Sequence, residues 1–283
     1  MLKYLLLLFA FPLAAQSGYV NDNLSVTSRI LGGERHYAVY LPPDYEASAR
    51  SYPVLYLLHG GGDDHSGWVQ FGEVARIADE AIRSGKATPM VIIMPDANTG
   101  HRGYFNRVGG NFRYEDFFFE ELMPEVETRY RIRREKRYRA VAGLSMGGGG
   151  TFIYALHRPD LFSSACPLSA SIRLLDREEM AARLRQAGDT VFTDQQLADY
   201  HEKYSALELV RNGDPEQIGS VRWYIDCGDD DFLYEGNSLM HILMREREIA
   251  HEYRVRDGGH TWTYWRESLP EVLDFVSQAF HQH

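Results

Sequence analysis

The residue whose surroundings most clearly predict a role in a reaction is Ser145, at the centre of Gly143-Leu-Ser-Met-Gly147. A β-prone run over 138–142 leads into this motif, and a glycine-rich segment typical of a helix start follows it. That order predicts a sharp strand-to-helix turn, which raises a serine oxygen above a sheet and needs small neighbours. A glycine-rich phosphate loop is the alternative, but the lysine and the spacing of that motif are missing. We therefore expect Ser145 to be a nucleophile.

A serine hydroxyl is a poor nucleophile at neutral pH, so it needs a base within hydrogen-bond reach and a third group that orients the base. His260 follows Asp257-Gly-Gly in a turn after the last predicted strand, where its side chain can reach over the end of the sheet. His201, His241 and His251 lie instead in a predicted insertion or near a predicted helix. His260 is therefore the predicted base, with an ordinary surface histidine as the alternative.

Four aspartates compete to be the orienting acid in Asp226-Cys-Gly-Asp-Asp-Asp231, which ends an apolar run. Asp226 still belongs to the predicted strand, whereas a bend at Gly228 leaves Asp231 best placed to turn back towards the histidine. A calcium loop is a competing interpretation, but the other oxygen ligands and the spacing of an EF-hand are missing. Asp231 is the predicted acid, with Asp229 and Asp230 as the alternatives.

The segment His59-Gly-Gly-Gly62 follows another apolar run and resembles a loop that donates a backbone N–H to an oxyanion. We assign the two predicted donors to Gly61 and to Met146, the residue after the nucleophile. The neighbouring Asp63-Asp-His65 leaves a metal site as the alternative. No metal and no cofactor is predicted, because the oxyanion role already accounts for this loop.

Short apolar runs alternate with amphipathic segments along the chain, which indicates βαβ units and a doubly wound, mostly parallel sheet with its ligand site at the carboxyl ends of the strands. The predicted strands cover residues 24–31, 35–41, 53–59, 90–94, 138–143, 162–168, 221–227 and 252–255. The first two form an N-terminal hairpin around Gly32-Gly33. Helical patterns cover residues 73–84, 114–130 and 238–248, and a further helix ends at His157. We expect a single α/β domain over residues 16–283.

One segment, 171–218, is longer than a single crossover needs. Long insertions in such a fold are usually functional lids, so we expect this one to cover the active site. Helices are predicted within it over residues 176–186 and 194–204.

The N-terminus, residues 1–15, has one lysine, an apolar run and then small residues, which is the pattern of a signal peptide. We therefore expect a periplasmic or secreted protein with no stable membrane insertion. A net charge of −10 excludes a phosphate-tracking nucleic-acid binder, which needs a surplus of Lys and Arg. Cys166 and Cys227 end apolar runs that read as neighbouring parallel strands, and free buried thiols are predicted.

Several motifs together make the sequence similar to the esterase D-like group of α/β-hydrolases, in particular to bacterial feruloyl and acetylxylan esterases of the first carbohydrate-esterase family. The motifs that carry the resemblance are Tyr56-Leu-Leu-His-Gly-Gly-Gly62, Met94-Pro-Asp-Ala-Asn98, Tyr114-Glu-Asp-Phe-Phe-Phe119, Ala142-Gly-Leu-Ser-Met-Gly147, Cys227-Gly-Asp-Asp-Asp231 and Gly258-Gly-His-Thr-Trp-Thr-Tyr-Trp265. The resemblance implies an α/β-hydrolase fold and acyl transfer, and it again selects Asp231 as the acid. The group also contains S-formylglutathione hydrolases and mycolyl acyltransferases, and a serine peptidase shares the same three residue types.

Aromatic side chains in loops around Ser145 suit a sugar or a phenolic acyl group. We predict that Trp68, Tyr104 and Trp262 bind substrate and that Trp265 is a buried support for the His260 turn. The expected substrates are hydroxycinnamoyl esters of plant cell-wall sugars, with acetyl esters as the alternative. The sequence leaves the oligomeric state open.

Overall fold

Residues 17–172 and 177–281 are described by a computed structural model, so the predicted signal peptide lies outside the described residues. Eight strands run through this part of the chain: β1 (Tyr19–Ser28), β2 (Gly33–Leu41), β3 (Val54–Leu58), β4 (Val91–Pro95), β5 (Arg139–Leu144), β6 (Ser164–Leu168), β7 (Arg222–Asp226) and β8 (His251–Arg254). They form one sheet in the order β1-β2-β4-β3-β5-β6-β7-β8. β1 and β2 form the predicted antiparallel hairpin, β2 pairs antiparallel with β4, and the remaining neighbours are parallel. The predicted mostly parallel sheet is confirmed.

Helices connect these strands on both faces of the sheet. The described helices are α1 (Gly67–Gln70), α2 (Val74–Arg83), α3 (Tyr114–Phe117), α4 (Met123–Arg129), α5 (Met146–His157), α6 (Arg177–Gln186), α7 (Asp194–Tyr204), α8 (Ala206–Asn212), α9 (Pro215–Gly219), α10 (Tyr234–Glu246) and α11 (Trp262–His281). A π-helical turn, Phe118–Leu122, joins α3 to α4, and a 3₁₀ turn, Lys136–Tyr138, precedes β5. No helix within the described ranges combines the length and the apolar character needed to cross a membrane.

Alternate side chains of the central strands enter two separate hydrophobic cores, as a doubly wound sheet requires. Tyr56 on β3 packs in the core that contains Phe152 of α5 and Met240 of α10. Its neighbour Leu57 packs in the opposite core, with Leu273 of α11. Because both faces of the sheet are covered, its carboxyl-terminal edge is where the loops after the strands can form a site.

The described part of the insertion, from residue 177 onwards, contains the helices α6 to α9. Two of them match the predicted helices, except that Asp176 lies outside the described residues. α7 begins with a capping box, in which the Thr193 side chain accepts from the amide of Gln196 and the Gln196 side chain accepts from the amide of Thr193. The helical content predicted for this segment is confirmed, whereas its function as a lid stays a prediction.

Both cysteines are free and buried, as predicted. Cys166 lies on β6, and Cys227 directly follows β7, the neighbouring parallel strand. Burial raises the pKa of both thiols, that of Cys227 to about 12. Neither thiol is therefore ionised to a useful extent at neutral pH, so neither is a reactive nucleophile.

Candidate active site

Ser145 lies at the turn between β5 and α5, with backbone angles φ 55° and ψ −114°. A residue with a side chain rarely adopts a positive φ, and the cost is on the order of 1–3 kcal/mol. A Cβ on Gly143 would lie 2.6 Å from the carbonyl oxygen of Gly147, and a Cβ on Gly147 would lie 2.6 Å from that of Leu58. Both flanking positions of the motif therefore require glycine, and the turn carries the serine hydroxyl beyond the end of β5.

Three predicted side chains meet at this turn. The Nε2 atom of His260 lies 2.9 Å from Ser145 Oγ, and its Nδ1 atom lies 2.9 and 3.0 Å from the two oxygens of Asp231. A carboxylate only accepts hydrogen bonds, so it fixes the imidazole proton on Nδ1. Nε2 then presents its lone pair to the serine hydroxyl. This arrangement can remove the serine proton during attack on a carbonyl carbon.

Asp231 is held in its charged form by the hydrogen bonds it accepts. Its side chain is buried, and its Oδ1 atom accepts from the amide of Leu233 at 2.8 Å. Burial alone would raise the pKa of Asp231, but hydrogen bonds from His260, Ser169 and Leu233 hold it below its usual value. An ionised acid beside His260 can stabilise the imidazolium that forms when the serine loses its proton.

The other aspartates of the same loop have different partners. Asp226 is buried at the end of β7, where it accepts from Tyr264 Oη and from Arg256. Asp229 is exposed and accepts from the amide of Gly258, and Asp230 is exposed. The structure thus places only Asp231, among the four aspartates of this loop, against His260.

Trp265 supports the histidine, as predicted. Its ring is buried and packs edge-to-face against His260, with 4.8 Å between the ring centroids. Its indole N–H donates to Ser169 Oγ at 3.0 Å, and Ser169 in turn hydrogen-bonds Asp231. One buried tryptophan therefore restrains both the base and the group next to the acid. The role of Ser169 was not foreseen from the sequence.

The two predicted oxyanion donors lie next to each other. A Cβ on Gly61 would lie 3.9 Å from the Cβ of Met146, and no hydrogen bond within residues 17–172 and 177–281 uses the amide of either residue. His59 holds this loop in place, since it accepts from the amide of Ala97 at Nε2 and therefore donates from Nδ1 to the carbonyl of Gly60 at 2.7 Å. Two free amides beside the serine can bind a developing oxyanion. Because both His59 ring nitrogens are engaged with the backbone, neither has a lone pair free for a metal.

Two predicted substrate-binding residues are not accessible, which corrects that part of the prediction. Trp68 is completely buried and donates its indole N–H to the carbonyl of Leu58 at 3.0 Å. Tyr104 is also buried, and its hydroxyl accepts from the amide of His59 at 2.8 Å. Both aromatic residues support the end of β3 and the loop after it, so neither can touch a substrate in this structure. Trp262 is half-buried and keeps part of its surface accessible.

An exposed aromatic ring that the sequence reasoning missed lies against the histidine. Phe232 directly follows Asp231, its side chain is 68% exposed, and its ring centroid is 4.5 Å from that of His260. A large apolar side chain that is held in solvent beside the reactive group can contact a bound substrate. The sequence signal that could have identified Phe232 as a site residue is its position directly after Asp231, the predicted acid.

A cavity of about 150 Å³ begins one helical turn from the serine. Two of its lining residues, Gly149 and Ser171, donate their amides to the carbonyl of Ser145 at 3.0 and 2.9 Å. The insertion supplies much of the remaining wall, through Met180, Tyr200, His201, Tyr204 and Ser205. The insertion and the first turns of α5 therefore line the same cavity, and Ser145 itself is not among the lining residues.

Comparison with known proteins places this chain among esterases. A family model named Esterase and described as "Putative esterase" matches residues 28–276. An esterase of Mycobacterium tuberculosis is 40% identical over 141 residues, which are 48% of this chain and 29% of that protein. An endo-1,4-beta-xylanase/feruloyl esterase of Xylanibacter ruminicola is 35% identical over 131 residues, which are 44% of this chain and 18% of that protein. The matched segment thus spans less than a third of either relative.

The solved structure of a ferulic acid esterase is similar over almost the whole length of both chains. It is 33% identical, has a TM-score of 0.82, and the match covers 93% of this chain and 99% of that one. The resemblance to feruloyl esterases that the motifs indicated is confirmed, as is the α/β-hydrolase fold. Since the family model also spans most of the sequence, the chain belongs to the Esterase family.

Proposed function

We propose that this protein hydrolyses carboxylic esters through an acyl-enzyme on Ser145. The observation that carries the proposal is the continuous hydrogen-bonded chain from Ser145 Oγ through His260 to Asp231. Ser145 Oγ attacks the ester carbonyl while His260 Nε2 takes its proton, and the amides of Gly61 and Met146 bind the oxyanion. His260 then protonates the departing alcohol. Water repeats the sequence on the acyl-enzyme, which releases the acid and restores the serine.

The acyl group we propose is a hydroxycinnamate, such as ferulate, esterified to plant cell-wall sugars. The similarity to a ferulic acid esterase over 93% of this chain supports this choice. The cavity next to the serine is lined by the aromatic residues Phe105, Tyr200 and Tyr204, which suit a planar phenolic ring. The net charge of −10 gives no repulsion with a neutral polysaccharide. The pattern at residues 1–15 extends the proposal to export, where such polymers are found.

A panel of substrates tests the reaction and the acyl group together. The mature protein is incubated with methyl ferulate, feruloylated arabinoxylo-oligosaccharide, acetylated xylan, S-formylglutathione and a chromogenic anilide. We expect ferulate release from the first two and no anilide cleavage. Brisk deacetylation of xylan without any ferulate release would replace hydroxycinnamate by acetate. Hydrolysis of the anilide alone would indicate a serine peptidase, and the absence of all turnover would refute ester hydrolysis.

A further inference from the structure

Two polar groups beside the serine have no partner in the described part of the chain. Neither carboxylate oxygen of Asp63 takes part in a hydrogen bond or an ion pair there, although the side chain is half-buried. The indole N–H of Trp262 has no hydrogen-bond acceptor among the same residues. Burial and the nearby Asp64 carboxylate raise the pKa of Asp63. An accessible carboxylate without a protein donor can accept hydrogen bonds from a ligand.

Asp63 lies between the serine and Trp262. A Cβ built on Gly60 would lie 3.5 Å from Asp63 Oδ2 and 3.6 Å from Ser145 Cβ, so both atoms lie close to Gly60. A Cβ built on Gly67 would lie 2.9 Å from Asp63 Cβ and 3.5 Å from Trp262 Cζ2. The carboxylate therefore lies in the region between Ser145 and the indole ring of Trp262.

Asp63 lies away from the insertion cavity. Asp63 is in the loop after β3, whereas Ser171, which lines the cavity, is in the loop after β6. β3 and β6 flank β5 on opposite sides in the sheet, and β5 leads to Ser145. An ester bound at Ser145 has two halves that point in different directions. If its acyl group occupies the insertion cavity, its alcohol half is directed towards Asp63.

The position of the base agrees with this assignment. His260 must protonate the leaving alcohol, so the alcohol has to lie within reach of His260 Nε2. Trp262 follows His260 by two residues and packs at 89° against Trp265, which also packs against His260. The indole of Trp262 thus belongs to the same aromatic group as the residue that supports the base.

Trp262 is a rigid surface for a ligand. Its ring is held edge-to-face by two buried tryptophans, Trp68 at 5.2 Å and Trp265 at 5.4 Å. Phe71, which is 50% exposed, extends the aromatic surface at 6.0 Å from Trp262. A fixed aromatic face beside a free carboxylate matches a sugar, whose C–H face packs on the ring while its hydroxyls donate to the carboxylate.

We infer that Asp63 and Trp262 form a subsite for the sugar that carries the ester, with Asp63 accepting hydrogen bonds from sugar hydroxyls. This inference rests on the proposed function. It predicts that Asp63 raises kcat/KM for a sugar ester relative to a simple alkyl ester of the same acid.

The test compares two esters of one acid in the wild-type protein and in three variants. Values of kcat/KM are measured on methyl ferulate and on 5-O-feruloyl-arabinose for Asp63→Ala, Asp63→Asn and Trp262→Leu. Loss of hydrogen bonds to a charged group lowers binding by about tenfold or more. We expect Asp63→Ala to lose at least about tenfold on the sugar ester and less than about twofold on the methyl ester. Asp63→Asn, which keeps one acceptor oxygen, should lose less, and Trp262→Leu should lose activity mainly on the sugar ester.

Asp64→Asn is the matched control. Asp64 is the exposed neighbour of Asp63, and its carboxylate accepts from the amide and hydroxyl of Ser66, which an asparagine oxygen can also do. This variant should match the wild type on both esters.

Equal losses on the two esters in Asp63→Ala, or no loss on either, would overturn the subsite. If the wild-type protein hydrolyses neither ferulate ester, the proposed function fails. If it hydrolyses methyl ferulate but Asp63→Ala changes kcat/KM equally for both esters, only the subsite is refuted.

Discussion

Replacing Asp231 by asparagine should reverse the tautomer of His260 with little change in shape. The Oδ1 atom of Asp231 accepts from the amide of Leu233, so the asparagine oxygen has to stay at that position. The asparagine NH2 then replaces Oδ2, the acceptor 2.9 Å from His260 Nδ1, and places a donor against the imidazole N–H, while the oxygen at 3.0 Å from Nδ1 already accepts from the Leu233 amide. The imidazole avoids this conflict by moving its proton to Nε2. It can then no longer accept the proton of Ser145.

The size of the loss follows from the charge that is removed. Unit charges about 4 Å apart attract by about 4 kcal/mol at an effective dielectric constant of 20. That stabilisation of the imidazolium corresponds to about 10³-fold in rate, since 1.36 kcal/mol is tenfold. With the wrong tautomer added, we expect kcat of Asp231→Asn to fall by about 10³- to 10⁴-fold. KM should change little, because the carboxylate faces the histidine and not the substrate space.

The assay is steady-state hydrolysis of methyl ferulate, with thermal unfolding recorded for each variant to show that the fold is kept. Asp230→Asn is the control, because Asp230 is exposed in the same loop, and it should retain activity within about twofold of the wild type. A folded Asp231→Asn protein that kept more than a tenth of wild-type kcat would refute the assignment of the acid. So would an equal loss in Asp230→Asn.

Three further measurements test other parts of the structure. Ser145→Ala and His260→Ala should each lower kcat by several orders of magnitude at unchanged melting temperature, and more than about a tenth of residual activity would contradict their roles. A thiol reagent should label neither Cys166 nor Cys227 in the folded protein and both after denaturation, because burial raises the pKa of each; fast labelling of the native protein would contradict their burial. Although burial opposes it, hydrogen bonds from His157 and Tyr204 hold the pKa of Glu115 below its usual value of about 4.5. The ionised Glu115 carboxylate therefore stabilises the fold above pH 4.5, and this stabilisation is lost as the pH falls through the lower folded-state pKa. The melting temperature of Glu115→Gln should depend less on pH in that range than the melting temperature of the wild type.

The meeting of Ser145, His260 and Asp231 could be predicted from the sequence because the local backbone around these residues is restrictive. Only glycine fits positions 143 and 147, and this restriction makes the motif recognisable in the sequence. Asp231 could be chosen from four aspartates because Gly228 starts the bend that separates it from β7. The sheet was also predictable, since strands buried on both faces are apolar throughout.

The solvent accessibility of the aromatic side chains near the site could not be predicted from the sequence. Trp68 and Tyr104 have the residue type of substrate-binding side chains, but a loop pattern does not show whether an aromatic ring points inward. Both point inward because their polar atoms hydrogen-bond the backbone at Leu58 and His59, and those bonds depend on the folded path of the loop. The exposed Phe232 was missed for the converse reason, because a phenylalanine is more often buried.

The contacts of the insertion favour a fixed wall over a hinged lid. The buried carboxylate of Glu115 holds the end of α7, since it accepts from Tyr204 Oη at 2.7 Å and contacts His157 Nδ1 at 2.5 Å on the nucleophile helix α5. A second buried pair, Arg107 and Asp189 at 2.8 Å, ties the segment between α6 and α7 to the loop after β4. An opening of the insertion would have to break both the Tyr204–Glu115 hydrogen bond and the Arg107–Asp189 ion pair. Tyr204 also lines the cavity beside Ser145, which means that the same bonds that fix the insertion fix the shape of the space offered to the acyl group. Discrimination between acyl groups should then arise from a preformed cavity, with substrate entering past the exposed side of the site at Phe232 and Trp262.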